Sequence, residues 1–279
     1  MDAIASPEQH TIAPLAKAAH GRAATRPRLA TESENHAYFQ HQLVESHTWA
    51  SRMGVDFREI IRPGQKILDF GCGHGALSVQ AARYGAEVTG IDTNPNRIDF
   101  ATRTAQAFPQ LVPSLHFLCG PVDYLEGQNR FDTILSKDTF EHVADPEDIL
   151  AAFHRLMRPG GRVYIGFSPL WYSPFGDHGF LTHRRLPWAH LLRGEAKVLA
   201  AHNAHTNRPD TTITQAGFNR LTPAAFRAAT ARAGFTLVNI RVNQTEGLKR
   251  AAFLPLNLAR KIPALERFGT VSIYATLRK

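Results

Sequence analysis

The apolar run 66–70 (KILDF) ends directly in the glycine-rich stretch 71–75 (GCGHG). A helical pattern, ALSVQAAR, starts at once behind it and is closed by Gly85. A strand that feeds a helix through glycines narrows the choice of fold, because parallel strands need a crossover of a dozen or more residues. Glycines at such a turn also let the backbone approach a ligand closely. The same rhythm continues downstream. Runs 87–92, 115–120, 131–136 and 162–168 read as strands, and 95–108 and 148–157 as helices, the latter two opened by Pro95 and by Asp145-Pro146-Glu147. Arg158-Pro159-Gly160-Gly161 reads as a stop between helix and strand. The alternation predicts an α/β fold, a mostly parallel sheet with helices on both faces.

The flanks differ. Residues 1–33 are rich in Ala, Pro, Thr and His without a period and read as a disordered tail, leaving 34–279 as the folded domain. Within 34–61, Tyr38, Phe39, Leu43, Val44, Trp49 and Met53 recur at helical spacing, which predicts one or two N-terminal helices. Residues 169–218 break the rhythm. Fifty irregular residues inside a compact domain point to a functional insertion, read here as a substrate lid. A helix (222–234), a strand (235–242), a helical stretch (248–268) and a last strand (271–278) follow.

Composition excludes several classes. A chain of 279 residues with 43 % apolar residues can bury a full core. No apolar run approaches the roughly 20 residues of a membrane span, so no integral membrane segment is expected. Asp2 and Glu8 stand where a secretory signal is positive. The two cysteines, Cys72 and Cys119, make neither a metal spacing nor a disulfide framework; both read as small core residues, and a cytoplasmic location fits. The net charge of +8 is heaviest after Arg241, in Lys249, Arg250, Arg260, Lys261, Arg267, Arg278 and Lys279. An Arg-rich solvated surface is the plain reading, and contact with nucleic acid is the alternative.

Asp92 follows Gly73 by 19 residues, at the end of the second strand, where an acid can take both hydroxyls of a ribose. Gly71, Gly73 and Ala76 also satisfy the dinucleotide string, so the glycines alone do not separate two ligand classes. Asp69 does. A carboxylate at the end of the first strand would repel a pyrophosphate and would suit an ammonium or a sulfonium, which favours S-adenosylmethionine.

The chain here resembles the class I S-adenosylmethionine-dependent methyltransferases, over about residues 60–170 and more loosely 220–279. DFGCGHG matches their acid-x-G-x-G-x-G loop and Asp92 their ribose acid. FDTILSKDTFEHV and LMRPGGRVYIGF resemble the segments of the fourth and fifth strands, and FTLVNIRV with VSIYATLR resembles their reversed hairpin. The resemblance implies a Rossmann-like seven-stranded sheet with one antiparallel strand. It further implies that Asp69, Gly71, Cys72 and Gly73 lie against the methionine part, Asp92 and Thr93 at the ribose, Val122 and Asp123 at the adenine, and Ser136 near the methionine end. Pro121 stands where many relatives have an acid.

For the acceptor, a small molecule methylated at oxygen is the first expectation, because the insertion carries Trp171, Tyr172, Phe175 and Phe180, which would wall an apolar pocket. Tyr38, Phe39 and Trp49 would cover the site or pack in the core. A hydroxyl acceptor calls for a base. His178, after the fifth strand, is the first candidate and His142, after the fourth, the second; Asp138 and Asp177 are lesser ones. His183, His190, His202 and His205 lack the spacing and the carboxylates of a zinc site, so no metal is expected. The alternatives are a nucleic-acid or protein methyltransferase, against which SKDTF lacks an N-P-P-Y-type sequence, and a non-catalytic regulatory protein that binds the cofactor. The oligomeric state is not legible.

Overall fold

The computed structural model describes residues 31–179, 186–207, 209–244 and 253–279. Residues 1–30 of the expected tail, Phe180, His183, Lys249 and Arg250 lie outside them.

Seven strands form one sheet: β1 (Lys66–Phe70), β2 (Glu87–Asp92), β3 (Leu115–Cys119), β4 (Phe131–Lys137), β5 (Met157–Phe167), β6 (Thr236–Val242) and β7 (Ile273–Arg278). Their order is β3-β2-β1-β4-β5-β7-β6. The first five run parallel, and β7 is antiparallel to both neighbours, as the reversed hairpin implied. The strand order switches direction between β1 and β4, and open sheets take ligands at the carboxyl ends beside such a switch.

Successive strand residues face opposite layers. Ile67, Leu135 and Tyr164 share one core with Phe39, Trp49 and Phe100. That layer holds α1 (Glu32–Met53), the single turn α2 (Phe57–Ile60), α3 (Ala76–Arg83) and α4 (Pro95–Ala105). Leu68, Ile134 and Val163 share the other core with Phe153 and Phe226, from α5 (Pro146–Leu156) and, after α6 (Ala189–Arg193) and α7 (Glu195–Thr206), from α8 (Pro223–Arg232). The helices α9 (Leu254–Ala259) and α10 (Glu266–Gly269) lead into β7. Each large apolar side chain so buried contributes about 1.5–3 kcal/mol.

Four details depart from the sequence reading. α1 begins at Glu32, inside the stretch read as tail, because Thr31 and Glu34 form a reciprocal capping box. Residues 158–161 do not stop β5: its partners on β4 jump from Phe131↔Met157 to Thr133↔Arg162, so they bulge out within the strand. The insertion is not irregular, since it contains α6 and α7 and a small core of Trp171, Val198, Ile213, Ala216 and Phe218. Cys72 is buried, but Cys119 is exposed at the end of edge strand β3 and does not pack in the core.

Candidate active site

The carboxyl ends of β1, β2 and β4 open on a cleft of about 900 Å3. The amides of Gly71 and Cys72 both donate to the Ile91 carbonyl, at 2.8 and 3.1 Å, which ties the glycine loop to β2. Gly71 has φ +71°, and a Cβ there would overlap the Thr139 side chain. Gly73 has φ +53° and a Cβ would meet nothing within 4 Å. One glycine thus packs the loop on the protein and the other bares backbone to the cleft.

Asp92 is 9 % exposed. Its Oδ2 accepts from the Gly73 amide at 3.0 Å and its Oδ1 from the Asn94 amide at 2.8 Å. Each carboxylate oxygen retains a lone pair for a ligand hydroxyl. Asp69 is 1 % exposed, and its Oδ2 accepts from Ser78 Oγ at 2.6 Å. Burial pushes its carboxyl up to about 7; the Ser78 bond opposes this and the Asp92 charge adds to it. Thr93 and Val122 line the cleft. Asp123 and Ser136 do not: Asp123 is exposed on the short turn Val122–Tyr124, and Ser136 is fully buried one residue short of the strand end.

The sequence reading offered Tyr38 as a cover for the site and missed Asn35, Gln42 and Lys137. Asn35, Tyr38 and Gln42 project from one side of α1 at helical spacing and close the cleft, while Phe39 and Trp49 on its apolar stripe are core residues. Tyr38 lies edge-on to His74, at 5.1 Å between centroids. Lys137, the last residue of β4, places Nζ 2.6 Å from Gln42 Oε1 and 2.7 Å from Asp138 Oδ2. Helix flank and strand end were both visible as spacing; their meeting across 95 residues of sequence was not.

The two candidate histidines come together, with ring centroids 4.9 Å apart. His142 lines the cleft and His178 does not. His142 Nδ1 is 2.6 Å from the Gly217 carbonyl. A carbonyl only accepts, so Nδ1 carries the proton, and Nε2 of the neutral ring keeps a lone pair. Burial lowers the basicity of His142, with the Gly217 bond opposing. His178 stands at φ +54°; although its surface reaches solvent, desolvation and then His142 push its imidazole down to about 4. Asp138 lines the cleft beside Lys137, and Asp177 is buried and accepts from the Gly179 amide at 3.2 Å.

The insertion is stapled to the turn after β4. Asn219 Nδ2 donates to the Phe140 and Val143 carbonyls at 2.6 and 2.9 Å. This brings Ala216 and Gly217 to the cleft. Trp171, Tyr172 and Phe175 of the expected aromatic wall do not line it: Trp171 is inside the insertion's core, and Tyr172 packs on Phe268. His190 is buried against the Trp171 carbonyl and His202 lies 3.5 Å from Asp210. Among the described residues no group of three or more His, Cys, Asp or Glu is placed to hold a metal ion, and no helix is long and apolar enough to cross a membrane.

Residues 68–165 match the family model described as a methyltransferase domain. The chain is 37 % identical over 102 residues to the mitochondrial ubiquinone biosynthesis O-methyltransferase of Schizosaccharomyces pombe, a match covering 37 % of each chain. It is 40 % identical over 115 residues to the ubiquinone biosynthesis O-methyltransferase of Albidiferax ferrireducens, covering 40 % of this chain and 43 % of that one. The chain thus spans less than half the length of these curated relatives. An S-adenosylmethionine-dependent methyltransferase from Mesorhizobium loti superposes with a TM-score of 0.56 at 18 % identity, over 85 % of this chain and all of that one. Glycine loop, acid on β2 and the carboxyl ends of the strands that bound the cleft fall in residues 68–165, the segment that matches the methyltransferase domain, and the chain's fold is that of its solved structural neighbours.

Proposed function

We propose that this chain transfers a methyl group from S-adenosylmethionine to an oxygen of a small-molecule acceptor. The observation that carries the reading is the pair of carboxylates, Asp69 and Asp92, on either side of a glycine loop whose Gly73 opens on the cleft. The donor set suits a ligand with an ammonium at one end and a ribose diol in the middle. Asp69 would meet the ammonium, with Cys72 packed behind the loop, Asp92 and Thr93 the ribose, and Val122 the adenine face. Asp123 and Ser136 take no part in this arrangement. The likeness to O-methyltransferases supports oxygen as the acceptor atom, and two free cysteines agree with a reducing cytoplasm.

When bound, the cofactor supplies a methyl group on a sulfonium that departs as a neutral thioether. The chain's own work is to hold the acceptor in line, worth up to about 7–11 kcal/mol, and to take its proton. His142 is the better placed base, since it lines the cleft with Nε2 in the accepting tautomer, and His178 supports its ring. Residues 169–218 serve as the acceptor lid, with Ala216 and Gly217 at the acceptor.

Cofactor affinity is expected to fall with pH through Asp69. The carboxyl is neutral below about 7 and ionised above it. A ligand ammonium prefers the carboxylate, so the affinity at pH 6 is about tenfold below that at pH 8. The unliganded protein has the opposite trend, since a raised carboxyl pKa makes stability fall as pH rises from about 4 towards 7. Calorimetric titration across this range reads the first effect and thermal melting the second; a flat affinity would remove Asp69 from the site.

The reading is tested by titrating the protein with S-adenosylmethionine, S-adenosylhomocysteine and NADH, then assaying methyl transfer to a panel of phenols. Binding of both adenosyl ligands without NADH, and a methylated phenol, are expected. NADH binding alone overturns the cofactor, and adenosyl binding without transfer to any phenol overturns the acceptor class.

A further inference from the structure

Among the described residues, eleven large apolar side chains are at least 40 % exposed, and four of them fall within twelve residues. Leu254 is 59 % exposed, Leu258 55 %, Ile262 53 % and Leu265 40 %. The spacing of four puts the first two on one side of a helix, and Ile262 and Leu265 follow in the turns behind it. α9 carries the first two, and the short turn Pro263–Leu265 continues the series. Such a cluster on a folded surface marks a contact site more often than scattered single residues do.

The charge around the cluster indicates the occupant. Arg260 and Lys261 lie within it and Arg267 just beyond, against a single acid among the described residues of this segment, Glu266. That acid is already neutralised by Arg227, whose guanidinium bonds both carboxylate oxygens at 2.9 and 2.8 Å. A second copy docked on this face would set these cations against one another, which disfavours self-pairing. We propose that the face from Leu254 to Leu265 docks on an anionic lipid surface, its leucines entering the headgroup boundary and Arg260 and Lys261 reaching the phosphates. The face adjoins the insertion: Arg267 lies 5.1 Å over the Tyr172 ring, and Phe268 packs on the same ring at 6.0 Å. A docked membrane would therefore lie beside the lid. The docking itself rests on apolar exposure and charge and does not depend on methyl transfer.

The test is co-sedimentation of the full chain with vesicles of phosphatidylcholine alone and of phosphatidylcholine mixed with phosphatidylglycerol. Binding to the mixed vesicles is expected to be about tenfold or more tighter and to weaken with salt, since each surface cation contributes about fivefold. Ile262→Glu and Leu258→Glu should each cost about tenfold in vesicle binding without changing the melting temperature, because neither side chain is in a core. Lys261→Glu should remove most of the preference for the anionic lipid. Equal binding to the two vesicle types overturns the proposal, as does undiminished binding by Ile262→Glu. A dimer in sedimentation velocity that Ile262→Glu dissociates would assign the face to a second copy and overturn it too.

Discussion

Replacing Asp92 with alanine is expected to weaken binding of S-adenosylhomocysteine by about 10²–10⁴-fold. The arithmetic rests on two charge-assisted hydrogen bonds from a ribose, each worth about 1.5–3 kcal/mol. The same carboxylate holds the amides of Gly73 and Asn94. Its removal therefore also frees the loop that bares backbone to the cleft, adding an ordering cost to every binding event. Asp92→Asn keeps one acceptor oxygen and should fall between the two. Calorimetry measures the affinities, and melting without ligand separates a lost contact from a lost fold. A loss below threefold in a folded variant would show that Asp92 serves the loop alone.

His142→Ala is expected to lower kcat by about 10²–10⁴-fold with a phenolic acceptor while leaving cofactor affinity within a few-fold. His178→Ala should cost less, because that ring supports the first and does not line the cleft. A base must be neutral to act, and burial holds His142 below the ordinary imidazole value of 6.5. At saturating cofactor, which removes the effect of Asp69 on binding, the kcat of the unmodified chain should therefore fall on the acid side only below that value, and the limb should vanish in His142→Ala. The substitution also cuts the bond to Gly217 and loosens the insertion. The vanishing pH limb distinguishes proton transfer from that structural effect. If His178→Ala proves the more damaging of the two, or the limb persists in His142→Ala, the base lies elsewhere.

Much of the sheet was legible because its signal is local. Ile67 and Leu68, or Ile134 and Leu135, alternate between two cores, and apolar runs of this kind identify doubly covered strands without any tertiary knowledge. Asp69 and Asp92 were legible for the same reason: each stands at the end of an apolar strand run, the first before the glycine loop and the second before the helix start Asn94-Pro95. The misses are tertiary. Nothing near Asn219 in sequence marks it as the staple to Phe140 and Val143. Gly217 meets His142 beside that staple, a contact that no local spacing announces. Ser136 lies outside the cleft lining by one position, since successive strand residues face opposite ways and Lys137 takes the cleft. The helices of the insertion were hidden by Pro, Gly and His in an Ala-rich context, where no broad apolar face forms.

The insertion's centre of Trp171, Val198, Ile213, Ala216 and Phe218 shares no residue with the two cores that clamp the sheet. Packing changes made there are absorbed largely within it, and strain passes on through fasteners such as the Asn219 bonds and the Tyr172–Phe268 contact. Such a unit behaves as a cassette. Its sequence can drift, and with it the shape offered to an acceptor, while the glycine loop and its two acids remain under their own separate constraint. This is a physical route by which one cofactor-binding frame comes to serve many acceptors.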